Sequence, residues 1–233
     1  MSKITAIVLA AGQGKRMNSK VAKQFLMLQD KPVIYYCLKA FELSSVDEII
    51  LVTGDGLVDY CKKEIIDLYH INKVAKIIEG GKERYDSVYQ GLVNAGTTDY
   101  VLIHDGARPF ITPDIINNMI DRVKEYKACI LGMPVKETIK VVDDQGNIIH
   151  TPNRDTLWSA QTPQAFEYTC ICQAYEDFYR EGASKNLVVT DDAMLYETFG
   201  NLPVKMLSGD YNNIKLTTPE DLVIAERILS EQI

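Results

Sequence analysis

The chain has 233 residues, 46% of them hydrophobic, and a formal charge of −7; that is apolar content for one substantial core and an acidic balance ill suited to wrapping nucleic acid. No run approaches eighteen uninterrupted apolar residues, and the first ten, MSKITAIVLA, lead into a charged glycine loop rather than a cleavage site, so a soluble, cytoplasmic protein is expected. The five cysteines, Cys37, Cys61, Cys129, Cys170 and Cys172, are odd in number and lack disulfide or zinc spacing, which makes buried or incidental thiols of them.

In chain order, ITAIVLA (4 to 10) reads as a central parallel strand buried on both faces. KPVIYYCLKAFEL (31 to 43) is a helix opened by a proline, DEIILVTG a second strand, GLVDYCKKEIIDLY a second helix and VAKIIEGG a third strand. KERYDSVYQGLVNAG is the next helix, TDYVLIHDGARP the fourth strand, ITPDIINNMIDRVKEY a helix and ACILGMPV a strand. Strands alternating with helices of this length predict βαβ units and a mostly parallel sheet covered on both sides. From about 136 to 160 the pattern changes to short alternating runs about the polar turn DDQG, which predicts a projecting two-stranded β-arm that needs a second subunit to pack against. FEYTCICQAYEDFYREG and DDAMLYETFG then read as helices, PVKMLSG as a strand, and TPEDLVIAERILSEQ as a terminal helix with Thr218 as N-cap and Asp221 three residues on. One domain, 1 to 233, with this arm, is expected.

In an open parallel sheet, ligands sit beyond the carboxyl ends of the strands, and the notable residues follow strands here. LAAGQGKRM, after the first strand, places small residues where a loop must approach a ligand, with Lys15 and Arg16 alongside and Lys23 close behind. It lacks the third glycine of a dinucleotide fingerprint and is not GxxxxGK[ST]; a glycine turn joining strand to helix and a phosphate-binding loop both remain open. HDGARP puts Asp105 beside Arg108, either as a salt-bridged turn or with the acid facing a cation or sugar hydroxyl and the arginine facing phosphate. His104 takes a structural role and Trp158 is a packing anchor for the arm. Arg154 on the arm and Lys215 after the late strand share the strand-end setting. With no GxSxG, no HExxH and no reactive-cysteine motif, covalent hydrolysis has no candidate parts.

The ordered set LAAGQGKRM, KQF, GGKERYDSV, HDGARPF, VKETIK, TPNRDTLWSAQTPQAF, VTDDAMLYE and NNIKLTTPEDL resembles the 2-C-methyl-D-erythritol 4-phosphate cytidylyltransferases of the non-mevalonate isoprenoid pathway, from Ile4 to the terminal helix. The resemblance implies a Rossmann-like three-layer α/β/α fold and transfer of cytidylyl from CTP to 2-C-methyl-D-erythritol 4-phosphate, with Mg²⁺ required and pyrophosphate leaving. It also implies roles. Ala10, Ala11, Gly12 and Gly14 wrap the nucleotide, Gly81, Lys82 and Ser87 complete the base and ribose pocket, and Arg16 and Lys23 bind the triphosphate. Asp105, Arg108, Thr138, Arg154 and Lys215 form the acceptor side, with Arg154 reaching across from the partner's arm in a homodimer. Arg16, Lys23, Arg154 and Lys215 are the catalytic set, and Asp105 is the candidate for holding the metal.

Two positions depart from the commonest form of the family: Lys82 replaces a frequently acidic residue, and Asn153 precedes Arg154 where many relatives have Asp. TPNRD leans towards ribitol-5-phosphate cytidylyltransferase, the alternative reading, whereas HDGARPF, VKETIK and LWSAQTPQAF favour the methylerythritol enzymes. A non-catalytic nucleotide-binding module has little reason to hold Lys23, Asp105 and Lys215 all at strand ends, and a nicotinamide oxidoreductase would need the missing glycine. An acceptor phosphate is already a competent nucleophile near neutral pH, so alignment and surrounding cations must lower the barrier. That accounts for a chain without a nucleophile and base constellation.

Overall fold

In a computed structural model, the described residues are 2–12, 22–181, 187–200 and 202–231; Gly14, Lys15 and Arg16 lie outside them. The chain runs β1 (Ile4–Ala10), a hairpin of β2 (Met27–Leu28) and β3 (Lys31–Pro32), α1 (Val33–Leu43), β4 (Glu48–Thr53), and α2 (Val58–Tyr60), which continues as a π-helical stretch over Cys61–Asp67. β5 (Val74–Glu79), α3 (Arg84–Asn94), β6 (Tyr100–Asp105), α4 (Pro113–Tyr126) and β7 (Ala128–Pro134) follow. Then come the arm strands β8 (Val141–Val142) and β9 (Ile148–His150), β10 (Trp158–Glu167), α5 (Tyr168–Glu181), α6 (Asp192–Phe199), β11 (Lys205–Ser208) and α7 (Pro219–Ser230).

Seven strands form one sheet in the order β11-β7-β10-β6-β1-β4-β5. All pairings are parallel except those of β10, which runs antiparallel to both β6 and β7. Alternation along β1 explains the three layers. Ile4, Ala6, Val8 and Ala10 face a cluster with Phe41 of α1 and Met119 and Val123 of α4. Ile7 faces the opposite cluster, with Val88 and Leu92 of α3, Tyr175 of α5 and Leu195 of α6. A sheet buried on both faces needs its strands almost wholly apolar, and β1 is so but for Thr5, whose buried hydroxyl is hydrogen-bonded to Glu48 and Thr98.

The expected elements form, with adjustments; Lys31 and Pro32, expected in the first helix, instead form β3 of a small hairpin. Pro32 is the N-cap of α1 rather than part of its first turn, its φ of −67° already suited to entering a helix. The ten-residue strand β10 has no counterpart in the expected elements: Pro163 and the lack of alternation hide it, and the sheet accommodates the proline where the β10–β7 register shifts between Ala160 and Gln164. The arm is therefore shorter than expected, because Trp158 already belongs to the main sheet, paired with Pro134 and 38% exposed rather than anchoring the arm. The capping box of Thr218 and Asp221 is present at α7. All five cysteines are free, and burial pushes the Cys37 and Cys129 thiols up to about 12, which leaves them without nucleophilic thiolate.

Gly91 lets α3 rest directly on β1, since a Cβ there would stand 2.5 Å from Ile7 Cγ2. Gly91→Ala is expected to lower the unfolding free energy by about 1–3 kcal/mol through overpacking, although alanine is the better helix former by about 1 kcal/mol. Combined with Ile7→Ala, the loss should be smaller than the sum of the two single losses. Urea unfolding of the single and double variants checks this.

Candidate functional site

The carboxyl ends of β1, β5 and β6 open onto a cleft of about 1050 Å³. β1 delivers Ala10, Ala11 and Gly12 to its rim, and the Gln24 amide holds this segment in place by donating to the carbonyls of Ala10 and Gly12. Gln24 belongs to a single helical turn, Lys23–Phe25, so the same contact sets Lys23 at the cleft wall. Opposite, Gly80 N–H donates to Thr53 O at 2.8 Å and Gly81 N–H to Ser87 Oγ at 3.1 Å. Gly81 packs so closely on the start of α3 that a Cβ would fall 2.2 Å from Asp86 Cβ; only glycine allows this turn to fold back and present its backbone to the cleft. Lys82 is exposed at the same rim.

Asp105, at the end of β6, is the buried charge at the base of the cleft. Its Oδ1 accepts from Arg84 Nε at 3.0 Å and its Oδ2 from Lys215 Nζ at 2.6 Å. Arg84 is itself clamped by Asp192, which accepts from Nη1 at 3.0 Å and from Nη2 at 2.9 Å, a bidentate pair of the stronger kind. Asp192 is wholly buried at the start of α6 and also accepts from Tyr175 OH at 2.7 Å. Burial works against the Asp105 charge, but Arg84 and Lys215 outweigh it and hold the carboxyl well below the usual carboxylate range. Arg84 is likewise disfavoured by burial, and Asp192 and Asp105 reverse this, keeping it protonated well above its ordinary value.

A second, smaller recess of about 270 Å³ adjoins the first and shares Arg84, Asp105 and Lys215 with it. Arg108 lines it, with Nη1 donating to Asn213 O at 2.7 Å while the buried Nε has no hydrogen-bond partner. Burial lowers the Arg108 pKa, with Arg84 adding to the effect against Asp105. A cation in this position gains from an anion entering the recess.

Of the residues expected from sequence, Ala10, Ala11, Gly12, Lys23, Gly81, Lys82, Ser87, Asp105 and Lys215 meet in the main cleft, and Arg108 in the adjoining recess. Thr138 and Arg154 are not brought to them within one chain. Both are exposed on the arm, where Arg154 Nη1 donates to the Lys136 carbonyl at 3.1 Å. Gly14 and Arg16 lie outside the described residues. Arg84 and Asp192 were not expected as site residues. A signal for Arg84 was present: a cation in the first turn of a helix opposes the helix dipole, so another charge must hold it there. Asp192 had none, since Asp191 and Asp192 read as ordinary acids at a helix start, and Asp191 does cap α6.

Among the described residues no group of three His, Cys, Asp or Glu side chains is placed to hold a metal ion. Asp105 offers oxygen ligands, but both face cations. The described residues therefore offer no protein cage, and a magnesium ion here would have to take most of its ligands from phosphate oxygens.

A glycine-walled, cation-lined cleft at the carboxyl edge of a mostly parallel sheet is the arrangement of a nucleotidyltransferase with a Rossmann-like fold. A family model described as 2-C-methyl-D-erythritol 4-phosphate cytidylyltransferase matches residues 4–231, and the chain belongs to this family. It is 51% identical over 231 residues to the 2-C-methyl-D-erythritol 4-phosphate cytidylyltransferase of Lachnoclostridium phytofermentans, covering 99% of this chain and 98% of that one. With the protein of the same name from Alkaliphilus oremlandii it shares 50% identity over 232 residues, 98% of this chain and 96% of the relative. The crystal structure of 4-diphosphocytidyl-2C-methyl-D-erythritol synthase from Anaerococcus prevotii superposes with a TM-score of 0.85 at 33% identity, over 98% of this chain and 96% of that one.

His104, beside Asp105, is completely buried, and burial lowers its pKa to about 4. Its folded pKa lies below the unfolded value, so the unfolded chain takes up a proton first as pH falls, and stability present above the unfolded pKa is lost towards the folded one. Between about pH 7 and about pH 5 this group alone should cost about 2 kcal/mol. Urea unfolding across that range is expected to show a steeper decline for the wild-type protein than for His104→Gln; parallel declines would contradict it.

Proposed function

We propose that the protein transfers the cytidylyl group of CTP to the phosphate of 2-C-methyl-D-erythritol 4-phosphate, releasing pyrophosphate. Beyond family membership, the observation that carries this reading is the cleft in which Arg84 and Lys215 meet on Asp105, with Lys23 on its wall, beneath a glycine-walled rim. The rim backbone at Ala10 to Gly12, with Gly81, Lys82 and Ser87, takes the nucleotide; Gly14 and Arg16 join it by the family pattern. The acceptor phosphate enters beside Arg108 and Lys215. One of its oxygens bonds to the α-phosphorus of CTP as the bond from that phosphorus to the bridging oxygen breaks, and pyrophosphate departs with the electron pair.

No general base is needed, because the attacking oxygen is already anionic. Lys23, joined by Arg16 on the family pattern, counters the charge that develops on the triphosphate, and Lys215, oriented by Asp105, steadies the acceptor. Asp105 is the protein carboxylate that would meet a Mg²⁺ ion carried on the nucleotide phosphates; when bound, the ion shields their charge and aligns the leaving group.

The same proposal includes a single domain working as a homodimer in the cytoplasm. Among the described residues no helix is long and apolar enough to cross a membrane. The arm exposes Val142, Ile148 and Ile149, which are 51%, 62% and 62% accessible, a ribbon suited to packing against a second copy. Thr138 and Arg154 would then complete the partner's acceptor site.

Pyrophosphate release from CTP and Mg²⁺, measured side by side with both polyol phosphates, tests the substrate. We expect kcat/KM to favour 2-C-methyl-D-erythritol 4-phosphate over D-ribitol 5-phosphate by at least about tenfold, since an extra hydroxyl left without a partner costs about 1–3 kcal/mol. Equal or reversed preference overturns the substrate while leaving the transfer chemistry. For the shared site, Lys23→Ala and Arg154→Ala should each lower turnover by more than about tenfold, and mixed subunits should regain part of it. A fully active monomer by light scattering at assay concentration contradicts the dimer.

A further inference from the structure

The turn that carries Asp105 and Arg108 is tied down by His104, whose ring lines neither cavity, acting through Thr162, which lines the smaller one. Asp105 N–H donates to Thr162 Oγ1 at 3.1 Å, and the same hydroxyl lies 3.1 Å from His104 Nδ1. On the far side of the ring, His104 Nε2 is 3.2 Å from the carbonyl oxygen of Arg108. The turn closes on itself as Arg108 N–H donates to Asp105 O at 2.9 Å, and Gly106 N–H anchors it to Leu9 O at 2.8 Å, at the end of β1.

These partners determine where the imidazole hydrogen sits. A carbonyl oxygen only accepts, so Nε2 must carry the hydrogen that meets Arg108 O. Nδ1 of the neutral ring then only accepts, and the Thr162 hydroxyl must point its hydrogen at it. That leaves the hydroxyl oxygen lone pairs for Asp105 N–H, and every donor in the chain has one acceptor. The other neutral tautomer would set two lone pairs against each other at Arg108 O. The ring is fully buried and its face is met by Phe41 at 5.2 Å, so it has little room to turn away. Asp105, Arg108 and Lys215 are the charged groups around it.

We propose that His104, as the Nε2–H tautomer, is a positioning residue for the acceptor: through the Thr162 hydroxyl it holds Asp105 and Arg108 in fixed relation without touching either substrate. The inference rests on the transfer reading above. Asp105 orients Lys215 where the two cavities meet while Arg108 lines the smaller one, so the ring ties together the groups on the acceptor side. A small loosening of that link is felt at the reacting phosphate, where a displacement of about 1 Å can cost on the order of a hundredfold in rate. Among the described residues, the nucleotide rim is held by Gln24 and by the turn at Gly81, whereas the ring's hydrogen bonds go to Thr162 and Arg108, so the rim should not respond.

His104→Phe keeps an aromatic ring against Phe41 and removes both nitrogens; His104→Gln keeps an amide donor for the Arg108 carbonyl. In the full-length enzyme, His104→Phe should raise the acceptor KM by about tenfold or more, while the Kd for CTP, titrated without acceptor, stays within about twofold. His104→Gln should return the acceptor KM to within about threefold of wild type. Equal losses for CTP and acceptor, an unchanged acceptor KM in His104→Phe, or a glutamine variant no better than phenylalanine would each overturn the proposal. Should His104→Phe fail to fold, long-range ¹⁵N–¹H spectra of ligand-free wild-type protein decide it: His104 must show the Nε2–H tautomer, and an Nδ1–H or doubly protonated ring refutes the assignment. That spectrum needs no turnover, so a wild-type enzyme inactive with CTP and the acceptor would sink the transfer reading while leaving the tautomer result to stand or fall by itself.

Discussion

A buried carboxylate held between two cations organises this molecule. Asp105 sits at the end of β6 with Arg84 on one oxygen and Lys215 on the other, and Arg84 is in turn forked onto Asp192. Removing one member of such a group leaves its partner charged and dehydrated, at a cost of about 3–5 kcal/mol when fully buried. The group therefore acts as a unit. It joins α3, β6, α6 and the segment before α7, four elements distant in sequence, at the point where both cavities meet.

Supporting contacts radiate from this unit. Gln164 Oε1 accepts the backbone N–H groups of Asp192 and Ala193, both at 3.0 Å, which fixes the start of α6 to β10. Asn213 Nδ2 donates to Thr162 O at 2.9 Å and binds the loop before Lys215 to the same strand. β10 is thus the common support of the cluster: it carries Thr162 under the Asp105 turn, Gln164 under α6, and the return of the arm.

That strand also marks the limit of what the sequence disclosed. β1 was legible because six apolar residues of seven, bounded by glycine, read as a strand covered twice, and α7 because proline, Thr218 and Asp221 write out a helix start. β10 was not, since Pro163 and an irregular register erase the alternation on which recognition depends. In the site, Asp105 and Lys215 were legible as charges at strand ends. Arg84 showed only as a cation set against a helix dipole and Asp192 not at all, because the pairing that gives them meaning spans 108 residues. Arg154 was read with Lys215 as a strand-end cation, but it lies with Thr138 exposed on the arm, so likeness to a family is what links these two to the acceptor.

The cation-lined cleft has a further consequence in an acidic protein. At physiological ionic strength the field of a charge fades over about 8 Å, so Lys23, and Arg84 and Lys215 with their partner carboxylates, act only on what enters the cleft. A long polyanion approaching the surface meets the net charge of −7 first, whereas a small phosphate that diffuses into the recess comes within reach of the cations before it senses much of the surface. Ionic screening and concavity together act as a size filter: the attraction is reserved for anions small enough to enter.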